Sequence, residues 1–170
     1  RNHPAVSHSK MPNVGTTIFT EMSALASECE ALNIAQGFPD LDTPPSLRKA
    51  VAEAIEAGHN QYAPMAGNPE LRTWIADVHH KGAGYDPDTE ITIGAGASSV
   101  LFAAMTALLQ PGDEVVLQDP AYDLYAPVAE LNHAQVVRVP LLNAKGTMNA
   151  RGLAEAVGPR TKMVILNSPH

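Results

Sequence analysis

An α/β fold is the expectation here, a mostly parallel sheet flanked by helices and preceded by an N-terminal arm and helices, and it rests on three observations. From residue 91 onward, short β-branched runs alternate with helical apolar patterns, the order of β-α-β units. The run Met163-Val164-Ile165-Leu166 is apolar at consecutive positions, as strands covered on both faces are. Hydrophobic residues make up 45% of the 170 and charged residues 17%, a balance that supports a core and excludes a disordered tail, a collagen-like repeat and a coiled coil.

The elements follow in order. Residues 1–15 are polar and aperiodic, with Pro4 and Pro12, and read as an extended arm. Ile18, Met22, Leu25 and Cys29 recur at helical spacing, predicting a first helix to about Ala31 capped by Thr16 or Thr17, with Cys29 packed on its apolar face. Pro39, Asp40, Asp42, Pro44 and Pro45 make 38–45 a loop. A second helix is expected from Pro45, capped by Thr43, with Leu47, Val51 and Ile55 on one face and Gly58 as its stop. Asn68-Pro69-Glu70 opens a third, carrying Leu71, Trp74, Ile75 and Val78. Beyond Asp86-Pro87-Asp88, the expectation is a strand at 91–93, a turn at 94–99, a helix at 100–109, a strand at 114–118 and a helix at 122–132. A strand at 135–139, a short helix at 153–157 and a strand at 162–166 complete the series.

Charge and cysteine content exclude several functions. Eleven Lys plus Arg against eighteen Asp plus Glu give a formal charge of −7, which disfavours phosphate backbones and anionic membranes as partners. The single Cys29 cannot close an internal disulfide or supply a multi-cysteine metal site, so a reducing, cytoplasmic setting is expected. No apolar run has the length of a signal peptide or a membrane span. His79 and His80 are adjacent and so cannot face one site on a helix, and no metal is expected. Nor is there a Gly-x-Ser-x-Gly elbow to position a serine nucleophile.

Three features carry chemistry. Gly94-Ala95-Gly96-Ala97-Ser98-Ser99 lies between an expected strand and a helix, where unpaired N–H groups and the positive end of the helix dipole suit a phosphate. The same glycines would also serve close packing of strand on helix. Read as a dinucleotide fingerprint, the turn has Ser99 where the third glycine belongs, although Asp119 would suit a ribose-binding acid. That keeps an NAD(P)-binding oxidoreductase as the alternative. Asp119-Pro120-Ala121-Tyr122-Asp123-Leu124-Tyr125 follows a strand, where Tyr122 is placed to stack on a planar ring or, equally, to pack a helix's first turn. Ile34-Ala35-Gln36-Gly37-Phe38-Pro39-Asp40 and Asn60-Gln61-Tyr62-Ala63-Pro64-Met65-Ala66-Gly67 are restrained loops, and the backbone N–H groups beside Gly37 suit a carboxylate.

Together with Gly67 to Arg72 and Asn167-Ser168-Pro169, these segments stand in the order and at the spacings of the class I/II pyridoxal-phosphate aminotransferases. The chain resembles that family, and within it the methionine and kynurenine aminotransferase branch, over nearly all its length from Pro12. The resemblance implies the large domain of a fold type I pyridoxal-phosphate transferase, truncated, with residues 1–45 as arm, first helix and substrate-side loop and 46–170 as the first part of the cofactor domain. It implies that Gly96, Ala97 and Ser98 bind the cofactor phosphate, that Tyr122 stacks on the pyridine ring, that Tyr62 reaches the phosphate of a neighbouring subunit in a homodimer, and that Gly37 lies near the substrate carboxylate. The substrates implied are an amino acid (methionine, aromatic or kynurenine-like) and a 2-oxo acid.

The family's Schiff-base lysine, its pyridine-binding aspartate and its carboxylate-binding arginine belong to later segments, and its second loop asparagine would follow His170. None of Lys10, Lys49, Lys81, Lys145 and Lys162 has the small-residue context of that lysine, and Lys162 reads as the solvated end of a strand. No catalytic residue is therefore assigned. A chain that stops after a buried strand is expected either to place that strand at a sheet edge or to be the front part of something larger. By itself it would be an inactive fragment, and a second alternative is a non-catalytic structural or binding fragment that holds phosphate at Ser98 without turnover; either marginal stability or a remaining half outside these residues is expected.

Overall fold

A computed structural model describes residues 9–12, 14–37, 39–79, 82–143 and 145–169. Phe38, His80, Lys81 and His170, each part of an expectation above, lie outside the described residues, as does the arm before Ser9. Helix α1 spans Ile18–Glu28, and Thr17 caps it by accepting from the Thr20 N–H. Helix α2 spans Pro45–Glu56. Thr43 does not cap it, because a helix that begins at Pro45 places Pro44 at the cap, and Pro44 has no side-chain acceptor. Helix α3, Pro69–Trp74, opens on Asn68, whose side chain accepts from the N–H groups of Glu70 and Leu71, and it widens into a π turn at Ile75–His79.

Residues 91–93 form no strand. The turn at 86–90 and Gly94 leave three residues between them, and the Ile93 N–H donates to the Ala66 carbonyl at 3.0 Å instead of joining a ladder. Helix α4 spans Ala97–Leu108, strand β1 Glu114–Asp119, helix α5 Tyr125–Leu131, strand β2 Gln135–Pro140, helix α6 Ala150–Ala156 and strand β3 Thr161–Ile165. The expected start of α5 at Tyr122 is three residues early. A helix begun there would need an N–H from Pro127 to Asp123, whereas in a helix begun at Tyr125 the proline falls in the first turn, where no N–H is required. Lys162 lies within β3 rather than before it.

Both pairings of β1 are parallel, and the strand order is β2-β1-β3. Central β1 is the most covered, with Val115, Val116 and Leu117 wholly buried, as its consecutive apolar residues require. Met105 of α4, its C-cap Leu109, and Tyr125, Ala126, Val128 and Ala129 from α5 pack with Val115 and Leu117 in one cluster; Val116, Val139 and Leu153 form a second. The final strand β3 sits at an edge of this sheet, but it is not covered on both faces as its apolar run predicts: Met163 and Ile165 pack on the first cluster while Val164 and Leu166 on the alternate positions are exposed.

Much apolar surface remains in contact with solvent. The chain exposes 13419 Å2, whereas a compact monomer of this mass exposes about 8,000 Å2. Neither α1 nor α2 has a buried residue, and the stripe Leu47, Val51, Ile55 predicted to face a core is half-exposed. Cys29 likewise does not pack inside: it is the exposed C-cap of α1, beside a shallow groove lined by Met22, Leu25 and Leu32.

Candidate functional site

The strand order identifies where a ligand belongs. From β1 the chain goes to β2 on one side and then returns to β3 on the other, so the order reverses between β1 and β3. In open parallel sheets the crevice beyond the carboxyl ends at such a reversal is the binding site, because the loops there diverge to opposite faces. A cleft of about 230 Å3 lies at that place, lined by Leu117, Gln118, Pro120, Ala121, Tyr122 and Tyr125 from β1 and its following loop and by Ile165 and Asn167 from β3. It is smaller than the ~300–1,000 Å3 of a complete small-molecule pocket.

Within the cleft the two tyrosines are differentiated. Tyr125 is 7% exposed and belongs to the core, while Tyr122 is 48% exposed. Their rings meet edge to face, with centroids 5.7 Å apart and planes at 70°, so the buried ring sets the position of the exposed one. Asp119, at the end of β1, is paired with Arg138 of β2 at 3.2 Å. Asn167 donates to the Pro169 carbonyl at 3.2 Å, and Gln118 is 6% exposed. Gln118 was not singled out by sequence. A glutamine at the end of a β-branched run reads as the start of solvent, and only the strand order turns it toward a crevice.

The turn at 94–99 separates its two glycines into two roles. A Cβ on Gly94 would lie 2.4 Å from Val100 Cγ2, so this glycine serves the close packing of turn on helix. Gly96 has φ +87° with open space around it, so its requirement is conformational: the positive φ aims the chain into α4. Among the described residues, the N–H groups of Ala97, Ser98 and Ser99 find no backbone acceptor, as the first turn of a helix leaves them. Ser99 turns its hydroxyl back onto the Ala95 and Gly96 carbonyls, at 2.7 and 2.9 Å. The Ser98 hydroxyl is exposed and makes no hydrogen bond among the described residues. The arrangement is an anion cradle of three amides, a hydroxyl and a helix dipole. Leu101 of α4, Ala121 and Leu124 all pack against the cluster that contains Tyr125, so the helix behind the cradle and the loop bearing Tyr122 share one support.

Of the predicted residues Tyr122 lines the cleft, whereas Gly96, Ala97, Ser98, Tyr62 and Gly37 do not. Tyr62 and Met65 are fully exposed. Gly37 is exposed with open space around it, next to a loop tied to α1 by Asn33 to Ser23 at 3.1 Å and Ser23 to Gln36 at 3.4 Å.

The model of the family "aminotransferase class I and II" matches residues 30–170. The chain belongs to that family. It is 46% identical over 171 residues to the methionine aminotransferase of Escherichia coli (strain K12), covering 99% of this chain and 44% of that protein. It is 45% identical over 166 residues to a probable N-succinyldiaminopimelate aminotransferase of Mycobacterium tuberculosis, covering 95% of this chain and 42% of the relative. The crystal structure of YbdL from Escherichia coli, identified there with a methionine aminotransferase function, superposes with a TM-score of 0.89 over 98% of this chain and 44% of that one. The N-succinyldiaminopimelate aminotransferase structure from Mycobacterium tuberculosis gives 0.86 over 96% and 44%. The chain thus spans less than half the length of the relatives it matches, and its fold is that of the corresponding part of the fold type I transferases. The oxidoreductase alternative finds no support among these relatives.

Proposed function

We propose that this chain is part of an aminotransferase that uses pyridoxal phosphate to move an amino group from an amino acid to a 2-oxo acid, and that it supplies the phosphate cradle and the ring-stacking face of the cofactor site. The observation that carries the reading is an anion cradle at the start of α4 whose helix packs, through Leu101, on the same cluster as the loop that presents the exposed Tyr122 face at the strand-order reversal. The residues present fit the group: a dianionic phosphate takes the amides of Ala97 and Ser98 and the Ser98 hydroxyl at a helix N-terminus, and Tyr122 offers a ring whose orientation is fixed by Tyr125.

When bound, pyridoxal phosphate supplies an electron sink for the carbon that exchanges the amino group. This chain's own residues anchor and orient it. The Ala97 and Ser98 amides and the Ser98 hydroxyl would hold the phosphate without a mobile cation, with Gly96 shaping the turn because its own N–H is given to the Gly94 carbonyl at 2.9 Å, and the Tyr122 ring would restrain the cofactor plane while excluding water from that face. Gly37 is assigned to the substrate carboxylate through its unobstructed backbone. The lysine that carries the cofactor and moves the proton is assigned to a segment outside these 170 residues. Residues 1–45 then form the arm and substrate-side loop, and 46–170 the first part of the cofactor domain.

A homodimer belongs to the same reading. It is supported by the fully exposed Tyr62, which would reach the neighbouring subunit's phosphate, and by the uncovered stripe of α2. A cytoplasmic location is supported by the unpaired Cys29. No helix among the described residues is long and apolar enough to cross a membrane. Methionine is the first donor to test, on the similarity to the Escherichia coli enzyme, followed by aromatic amino acids and kynurenine. The test is to incubate the complete protein with pyridoxal phosphate, [15N]methionine and a panel of 2-oxo acids. Label appearing in the product amino acid supports the proposal, and no transfer from any donor with cofactor bound rejects it.

A further inference from the structure

We propose that Arg72 is a positioning residue that locks the Tyr62 loop to the phosphate turn, so that the two move as one unit. Arg72 and Gln118 are the buried polar residues among those described, and the Arg72 side chain is 8% exposed although it carries a charge on a short surface helix. Burying a guanidinium is costly unless its donors are satisfied. Here they are: Nε donates to the Gly67 carbonyl at 3.3 Å, and Nη1 donates to the Pro87 carbonyl and to Asp88 at 3.1 Å. One rigid fork therefore joins the end of loop 60–67 to the turn at 86–90.

The second half of the lock is Gly67. It has φ +100°, and a Cβ there would lie 2.6 Å from both Cβ and Cγ1 of Ile93. On one side its N–H closes a turn onto Pro64 at 2.8 Å, and on the other Ile93 donates to the Ala66 carbonyl at 3.0 Å. Ile93 is directly followed by Gly94, the first residue of the phosphate turn. Tyr62, Gly67, Arg72, Ile93 and the cradle thus form one mechanical series whose fixed point is the arginine. A lysine at 72 would reach one of the acceptors but could not hold two at a fixed angle.

The functional consequence rests on the cofactor reading above, whereas the lock itself does not, and one experiment separates them. Arg72→Met, Arg72→Lys and, as a control, the exposed Lys49→Ala are made in the complete protein. Amide hydrogen exchange is first followed without cofactor. Arg72→Met should speed exchange of the bonded amides in 62–67 and 93–98, those of Gly67, Ile93 and Gly96, together by about tenfold or more, the scale of losing charged hydrogen bonds. β1 should be unchanged and Arg72→Lys intermediate. Acceleration of 62–67 alone, or of the whole chain equally, overturns the lock. Dissociation constants for pyridoxal phosphate and for pyridoxal, which lacks the phosphate, are then compared. Arg72→Met should weaken the phosphorylated form about tenfold and pyridoxal far less, with Arg72→Lys restoring part of the difference. Equal weakening of both overturns the positioning role. Failure of the unaltered protein to bind pyridoxal phosphate rejects the cofactor reading while leaving the exchange result to decide the lock.

Discussion

Ser98→Ala separates recognition of the phosphate from support of the fold. The Ser98 hydroxyl is exposed and unbonded among the described residues, so its removal should change stability by no more than about 0.5 kcal/mol. With a phosphate in the cradle the same hydroxyl makes a hydrogen bond to a charged group, worth about 1.5–3 kcal/mol, so the dissociation constant for pyridoxal phosphate should rise by about 10- to 150-fold. Ser99→Ala is the contrasting substitution. It removes a hydroxyl whose single proton is shared between the Ala95 and Gly96 carbonyls and so shapes the turn, and should lower stability by about 1 kcal/mol while leaving the Ser98 hydroxyl in place. Both variants would be titrated with cofactor by calorimetry and unfolded in urea. If Ser98→Ala binds pyridoxal phosphate like the unaltered protein, or loses the same factor for unphosphorylated pyridoxal, the cradle has been misassigned.

Other substitutions test other parts of the account. Tyr122→Phe should retain most of the cofactor affinity because the stacking face survives, while Tyr122→Ala should lose about 1–3 kcal/mol of it by the same titration. Gly94→Ala places a methyl 2.4 Å from Val100 and should cost about 1–3 kcal/mol in urea unfolding, in contrast to a neutral Ala95→Ser. Met105→Ala empties a position that is 1% exposed beneath β1 and should cost about 2–5 kcal/mol. The Asp88 N–H, then the Thr89 hydroxyl, hold Asp86 below its usual 3.8. The turn at 86–90 should therefore be fully ordered above that pH and loosen as the pH falls below it, and Asp86→Asn should abolish the dependence in hydrogen exchange of that segment.

Local chemistry was legible from sequence where it is settled locally. The Asn68 cap, the small-residue turn before α4 and the strand at 114–118 follow from side-chain type and spacing, and the structure has all three. The parts that escaped depend on partners distant in sequence. Residues 91–93 have the composition of a strand, but their backbone partner is Ala66, which no periodicity reveals. The late start of α5 was encoded in Pro127, a signal that the run of apolar residues around it obscured. Arg72 reads as solvated on any helical pattern, because its burial comes from carbonyls at Gly67 and Pro87. The strand order β2-β1-β3, which turns Tyr122, Gln118 and Asn167 toward one crevice, is a long-range choice invisible in the spacing of the strands. The helical faces of α1 and α2 were read correctly as apolar, yet they are exposed, since what covers a face is not written in the face itself.

The most direct test of the central claim is a crystal structure of the complete protein with pyridoxal phosphate. The cofactor phosphate should lie within hydrogen-bonding distance of the Ala97 and Ser98 amides and the Ser98 hydroxyl, with the pyridine ring stacked on Tyr122 in the crevice between β1 and β3. A cofactor bound elsewhere, or one whose phosphate leaves the 96–98 cradle empty, would contradict the account.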